Sequence, residues 1–391
     1  MQYQLWPLSP VADRQDPRPR LNVLVNTLSK QKAYGGVATN IYISLKLFEA
    51  LNAITPWRIR FLCFGPAEGE NLGVDIAHRE GVDISHATYE YISALANSIT
   101  VSANDVFIGS LWHNYYKMRP VLEFLAKERA AESTPYIYLI QDYEPSFHPW
   151  SSAHVLAQST YDDKFPKIGV FNSEELMTFF QGQKHRFQDQ FYFEPILNRQ
   201  LAIHLPHVTP EMKQKRIIVY ARPQMRRNCF FLVKQALQLW SETFENSAAW
   251  DVVSAGADHD AFRLATGQEV KSQGKLSLDQ YGRFLSTSAV GLSVMASPHP
   301  SYPPLEMAHF GVLTVTNSFA SKNLNNWHDN ILSVDVSRPD DLAFALGEQC
   351  EEFERDRRTG FNRQSKKPGY ISGAPMEFIN PLAQLLHDKV V

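Results

Sequence analysis

Cysteine is scarce in this chain: three residues in 391, Cys63, Cys229 and Cys350, scattered and odd in number. They make neither a disulfide framework nor a zinc spacing, which excludes a small cross-linked scaffold and suits a reducing, cytoplasmic setting. A basic surplus is also missing. The net charge of −3 argues against a nucleic-acid binder, whose surface carries excess Lys and Arg. No uninterrupted apolar run approaches the roughly 18 residues of a membrane-spanning helix. The opening Met1-Gln-Tyr-Gln-Leu-Trp-Pro7 lacks the basic and apolar regions of a signal peptide. There is no G-x-G-x-x-G in register after a strand, which argues against a nicotinamide dehydrogenase. No P-loop, metal cluster, Ser–His–acid constellation or Asp-x-Asp motif is visible.

What is present is length, apolar content and alternation. The chain fits two domains of about 150–200 residues, and 44% hydrophobic with 12% aromatic residues can fill two cores. Strands are expected at 21–25, 60–64, 105–108, 136–140 and 168–171, and again at 216–220, 250–254, 290–294, 313–315 and 331–334. Helices are expected between them: Val37, Ile41, Leu45, Phe48 and Leu51 recur at helical spacing. Others fit 229–244, 278–286, 305–310, 339–351 and 381–389. Strands alternating with helices predict an α/β fold, with parallel sheets covered on both faces. The expected division is an irregular leader over 1–20, a Rossmann-like domain over 21–206, a second over 207–375, and a terminal helix over 376–391 packing back on the first. In such sheets ligands bind beyond the carboxyl ends of strands, so the informative residues should follow strands.

They do. The run Ser297-Pro-His299-Pro300-Ser301-Tyr302-Pro-Pro-Leu-Glu306-Met-Ala308 follows an apolar strand and precedes a helix. Prolines suit a first turn, where N–H groups lack intrahelical partners. Those donors and the helix dipole favour an anion, and Glu306, read as a first-turn residue, can reach a sugar hydroxyl beside it. An ordinary strand–loop–helix turn has the same local pattern. Gly35 and Gly36 follow the first strand and let backbone N–H groups approach a phosphate or sugar; a flexible loop with a helix cap reads the same way. Arg222 and Arg227 follow the first strand of the second half, and Lys275 lies in another loop just before a helix. Guanidinium forks suit a diphosphate, although a solvated basic loop is commonplace. The stretch Gln141-Asp142-Tyr143-Glu144-Pro-Ser-Phe-His-Pro-Trp150 combines two carboxylates with aromatic rings, a pattern suited to holding a sugar. Asp142 or Glu144 is a candidate general base if burial raises its pKa. His113, after another strand, is a candidate donor contact or a structural histidine. Asn172-Ser173-Glu174 reads first as a helix cap.

Taken together, Gly35-Gly36, the Arg222/Arg227 pair and Leu305-Glu306-Met-Ala308 resemble the GT-B glycosyltransferases, whose two Rossmann-like domains face each other across a cleft, and within them the large retaining family 4. That family usually has Gly-Arg-x4-Lys, where this chain has Ala221 for the glycine and Arg227 for the lysine. It usually has two glutamates with seven residues between them. Glu306 matches the second, and Pro298, beside His299, stands at the first. The chain is most similar to the WsaF-type rhamnosyltransferases, through Ile140-Gln-Asp-Tyr-Glu-Pro145, Val170-Phe-Asn-Ser173, Arg222-Pro, Arg227-Asn228, Gly274-Lys-Leu276 and the run 297–308. The resemblance implies dTDP-L-rhamnose as donor. Arg222, Arg227 and Lys275, with Gly35 and Gly36, would serve the diphosphate and Glu306 the ribose. His299, Pro300, Ser301 and Tyr302 would lie by the donor sugar, with Asp142, Glu144 and His113 as catalytic candidates. It implies a growing, lipid-linked bacterial surface glycan as acceptor, no metal or other cofactor, and a cytoplasmic protein touching the inner membrane face at most peripherally; no basic amphipathic helix stands out. Retention of configuration follows from the family analogy. Two other readings stay open: a GT-B-shaped sugar-nucleotide epimerase or hydrolase, and a non-catalytic glycan-binding subunit.

Overall fold

The computed structural model describes residues 5–33, 35–128, 135–335, 338–373 and 376–390. Two compact units divide the chain: Met1–Phe193 together with Met376–Val391, and Glu194–Pro375.

The first unit is built on a seven-stranded parallel sheet. Its strands are β1 (Arg20–Val25), β2 (Arg58–Cys63), β3 (Thr88–Tyr91), β4 (Asp105–Gly109), β5 (Tyr136–Ile140), β6 (Lys167–Phe171) and β7 (Asp189–Tyr192). Their spatial order is β3-β2-β1-β4-β5-β6-β7. The central strands are buried along their whole length, as apolar runs covered on both faces must be. The edge strands β3 and β7 are short and half-exposed. They carry no continuous apolar run, so sequence pattern alone misses them. At the amino ends, Arg20 makes a two-pronged contact with Asp105 at 2.8 and 2.7 Å, and Arg60 donates to Asn22 at 2.6 Å. This buried charge pairing ties the registers of β1, β2 and β4 together. Helices α1 (Gly35–Ile54), α2 (Leu72–Glu80), α3 (Trp112–Glu128), α4 (Ser152–Asp162) and α5 (Glu174–Gly182) connect the strands.

The second unit holds a five-stranded parallel sheet: β8 (Gln214–Ala221), β9 (Asp251–Gly256), β10 (Ser288–Leu292), β11 (Leu313–Asn317) and β12 (Ile331–Val334). They lie in the order β9-β8-β10-β11-β12. Helices α6 (Phe230–Thr243), α7 (Leu278–Thr287), α8 (Tyr302–His309) and α9 (Pro339–Arg355) cover it. The last helix, α10 (Ile379–Val390), belongs to the first unit, where Leu382 and Leu386 share a core with Ile41 and Leu45 of α1.

Three expectations need correction. The break falls after Phe193, not at 206, because Leu197 and Leu201 are buried in the second unit's core and the Leu197 N–H bonds Tyr370 O at 2.7 Å. The leader is not irregular throughout: Ser9–Ala12 forms a strand that pairs in parallel with Ser98–Val101, while residues 1–4 lie outside the described residues. Finally, the helix expected from Leu305 begins at Tyr302.

Candidate functional site

Both sheets reverse their strand order once, between β1 and β4 in the first unit and between β8 and β10 in the second. At such a switch point the connections leave in opposite directions and open a crevice beyond the carboxyl ends. The sequence-predicted residues collect at these two places.

In the second unit, β8 ends at Ala221 and delivers Arg222. The Ala257 N–H bonds Ala221 O at 2.9 Å, and the Gly256 N–H bonds Gly274 O at 3.0 Å. This turn fastens the Arg222 segment to the loop of Lys275, whose side chain stays exposed. Only glycine fits at 256: φ is +133° and a Cβ would stand 2.4 Å from Ala221 O. After the one-turn helix Arg226–Asn228, Arg227 O accepts the Ala296 N–H at 2.7 Å, joining the arginine loop to the loop that follows β10. Met295, at the root of that loop, is clamped from β11 and the turn beyond it. Its N–H donates to Asn317 Oδ1 at 2.8 Å, and its carbonyl accepts from Lys322 Nζ at 2.7 Å and Asn317 Nδ2 at 3.2 Å. Lys322 and Asn317 escaped the sequence reading, since nothing local links a lysine to a peptide 27 residues before it.

Farther along, the His299 N–H donates to Ser297 Oγ, and the Ser301 N–H donates to His299 Nδ1, each at 3.0 Å. Nδ1 is therefore an acceptor and the neutral imidazole carries its proton on Nε2. Ser301 caps α8 with φ +71° and Tyr302 is its first residue. This alters the expected anion site. Pro303 and Pro304 occupy the first turn rather than preceding it, so two of its N–H groups do not exist, while the Ser301 N–H is already given to His299. The helix dipole remains; most of the backbone donors do not. Glu306 consequently sits in the second turn, not the first.

Glu306 is buried among Tyr220, Tyr281 and Tyr370, each of which feels its charge. Burial pushes its carboxyl up to about 7, and the Tyr281 hydroxyl beside it pulls the other way. Tyr220 links this acid to the arginines: burial raises its phenol, Arg222 beside the hydroxyl and Arg227 lower it, and Glu306 raises it. Arg222, Arg227, Glu306 and the 297–302 loop thus share one neighbourhood, with Lys275 on an adjoining loop.

In the first unit, Gly35 and Gly36 are not a flexible loop but the first residues of α1. Gly36 O accepts Gln141 Nε2 at 2.8 Å, and a Cβ on Gly36 would lie 2.7 Å from Gln141 Oε1. These glycines lie in the other unit from Arg222 and Lys275. At the switch point, Asn26 Oδ1 accepts from Asn114 Nδ2 at 3.0 Å, which turns Asn26 Nδ2 toward His113 Nε2, 3.3 Å away. His113 Nε2 is then an acceptor, and burial, with Lys117 assisting, lowers its pKa to about 4. Such an imidazole is neutral at pH 7 and a weak base. Glu144 Oε2 accepts the Trp112 N–H at 3.0 Å, at the start of α3. Burial pushes Glu144 up to about 7; the Trp112 and Leu111 N–H groups lower it and Asp142 raises it. Asp142 is buried, and its Oδ1 accepts the Tyr143 N–H at 2.8 Å. Ser173 caps α5 as expected, its hydroxyl accepting the Leu176 N–H at 3.1 Å.

Two parallel α/β units with their polar residues at strand carboxyl ends define the class. Solved structures share the fold. HepE of Anabaena in complex with UDP superposes with a TM-score of 0.60 at 12% identity, covering 95% of this chain and all of that one. Sucrose-phosphate synthase from Thermosynechococcus elongatus gives 0.55 at 12% identity, covering 95% and 99%. Residues 20–174 match the WsaF N-terminal domain and residues 215–347 the WsaF C-terminal domain. The chain belongs to the WsaF family of GT-B glycosyltransferases. It is also 36% identical over 180 residues to the O-antigen biosynthesis protein RfbC of Myxococcus xanthus, a stretch covering 46% of this chain but only 14% of that much longer protein. Among the described residues no helix is long and apolar enough to cross a membrane.

Proposed function

We propose that this glycosyltransferase moves L-rhamnose from dTDP-L-rhamnose to a rhamnose-containing, lipid-linked glycan of the O-antigen kind, without a metal and with retention at C1. The observation that carries the reading is the gathering of Arg222, Arg227 and Glu306 around Tyr220 at the second unit's switch point. The bond between C1 and the diphosphate oxygen breaks, and charge grows on the leaving dTDP. Arg222, Arg227 and Lys275 stabilise that charge, which is the task a metal performs elsewhere. Glu306 accepts the deoxyribose hydroxyl, and its ionised form is the better acceptor. The acceptor hydroxyl bonds to C1, and its proton passes to the departing diphosphate oxygen.

The first unit's geometry favours a positioning role for its candidates. Glu144 is tied to the start of α3 and His113 Nε2 to Asn26, so Asp142 and Glu144 orient sugars and no side-chain base is required. The RfbC similarity and the UDP bound by HepE support a nucleotide-sugar donor and a surface-glycan acceptor. Product analysis with dTDP-rhamnose and short rhamnose-containing acceptors, in EDTA, tests the proposal. A rhamnosylated product with the donor's anomeric configuration is expected. Transfer only from another nucleotide sugar, metal dependence, or conversion of the donor without acceptor overturns the corresponding part.

A further inference from the structure

Trp150 is 93% exposed, an unusual place for the largest apolar side chain. It is nevertheless held. Its ring lies nearly parallel to His154, with centroids 5.1 Å apart at 22°. His154 is itself fixed: its Nδ1–H donates to Pro145 O at 2.8 Å, and its backbone N–H meets Ser151 Oγ at 3.4 Å in the cap of α4. One indole face is therefore braced while the residue as a whole remains open to solvent. The brace leads inward. His154 acts electrostatically on His148, His148 meets Trp112 edge-on at 6.2 Å, and Trp112 meets His113 edge-on at 5.8 Å. A row of rings thus runs from the surface to the switch point of the first unit, beside Glu144.

We propose that Trp150, braced by His154, is an outlying saccharide subsite, taking a neutral pyranose of an acceptor chain beyond the residue being glycosylated. This rests on the proposed function, in which Asp142 and Glu144 of the same loop orient sugars. A flat indole with one open face covers the C–H face of a sugar ring, and its fixed orientation lowers the ordering cost of binding. The segment that carries Trp150 suits a neutral partner. Residues 141–162 contain no Lys or Arg, whereas a segment docking on an anionic membrane carries them.

The test compares Trp150→Ala and Trp150→Phe with the parent enzyme, using rhamnose di- and hexasaccharides as acceptors. The ratio of kcat/KM for the hexasaccharide over the disaccharide should fall about tenfold in Trp150→Ala and recover partly in Trp150→Phe, while dTDP affinity is unchanged. Indole fluorescence, titrated with neutral rhamno- and gluco-oligosaccharides without any donor, should shift in the parent and not in Trp150→Ala. That readout needs no turnover, so it stands apart from the donor assignment: no rhamnosyl transfer with a Trp150-dependent fluorescence shift would sink the donor reading alone. An unchanged length ratio, or no shift with any oligosaccharide, overturns the subsite. So does a Trp150 effect confined to sedimentation with phosphatidylglycerol vesicles, which would make the residue a membrane contact.

Discussion

The carboxylate of Glu144 accepts the backbone N–H of Trp112 at 3.0 Å, so an acid from the loop after one strand closes the helix that begins after its neighbour. The contact satisfies one of the helix's orphan donors and places a negative charge at its positive end. It also fixes the loop that carries Asp142 and Pro145.

Glu144 binds its proton more tightly in the folded chain, at about 7 against an ordinary 4.5. Between those two values the folded state holds more protons than the unfolded one. Stability therefore falls as pH rises through that window and stays reduced above it, by on the order of 3 kcal/mol. His113, depressed to about 4, works in the opposite direction: its contribution rises until the unfolded imidazole has also lost its proton. Glu144→Gln keeps an oxygen for the Trp112 N–H and removes the titration. Urea midpoints from pH 5 to 8 should be flatter for the variant against falling support in the parent; parallel profiles would refute the assignment.

Arg222→Ala should weaken dTDP binding about 10- to 100-fold, the equivalent of a charge-assisted bond of roughly 1.5–3 kcal/mol, without unfolding the protein. Lys275→Ala, at an exposed position, should cost less and lose its effect in high salt. Calorimetry at two salt concentrations reads both, and unchanged affinity for Arg222→Ala would remove the donor site from this loop.

Gly256→Ala forces a Cβ to within 2.4 Å of Ala221 O at φ +133°. A loss of about 1–3 kcal/mol in urea unfolding is expected, with weaker dTDP binding because Ala221 leads directly into Arg222. A stable variant with full dTDP affinity would show that the turn does not set the arginine.

Lys322→Met removes the 2.7 Å lysine bond from the Met295 carbonyl and leaves it the Ser297 N–H at 3.0 Å and Asn317 Nδ2 at 3.2 Å. The root of the 297–302 loop should loosen, costing about 1–3 kcal/mol and raising the KM for the donor severalfold with kcat less affected. An unaltered KM would make Lys322 a packing residue only.

Much of the fold was readable in the chain. Continuous apolar runs such as 136–140 and 168–171 mark strands buried on both faces, and their alternation with helical periodicity dictates parallel sheets. The loops after those strands advertised Arg222, Glu144, Glu306 and the family, because strand ends and proline-rich turns leave local marks. Only the tertiary structure decided what these groups experience. That Pro303 and Pro304 sit inside α8 and strip its donors, that Glu306 is enclosed by tyrosines from positions 220, 281 and 370, that Lys322 grips Met295, and that residues 194–206 join the second unit all depend on partners tens of residues away. Local pattern records which face of an element is covered. Burial, hydrogen-bond partners and pKa are properties of the neighbourhood, and the neighbourhood exists only once the chain has folded.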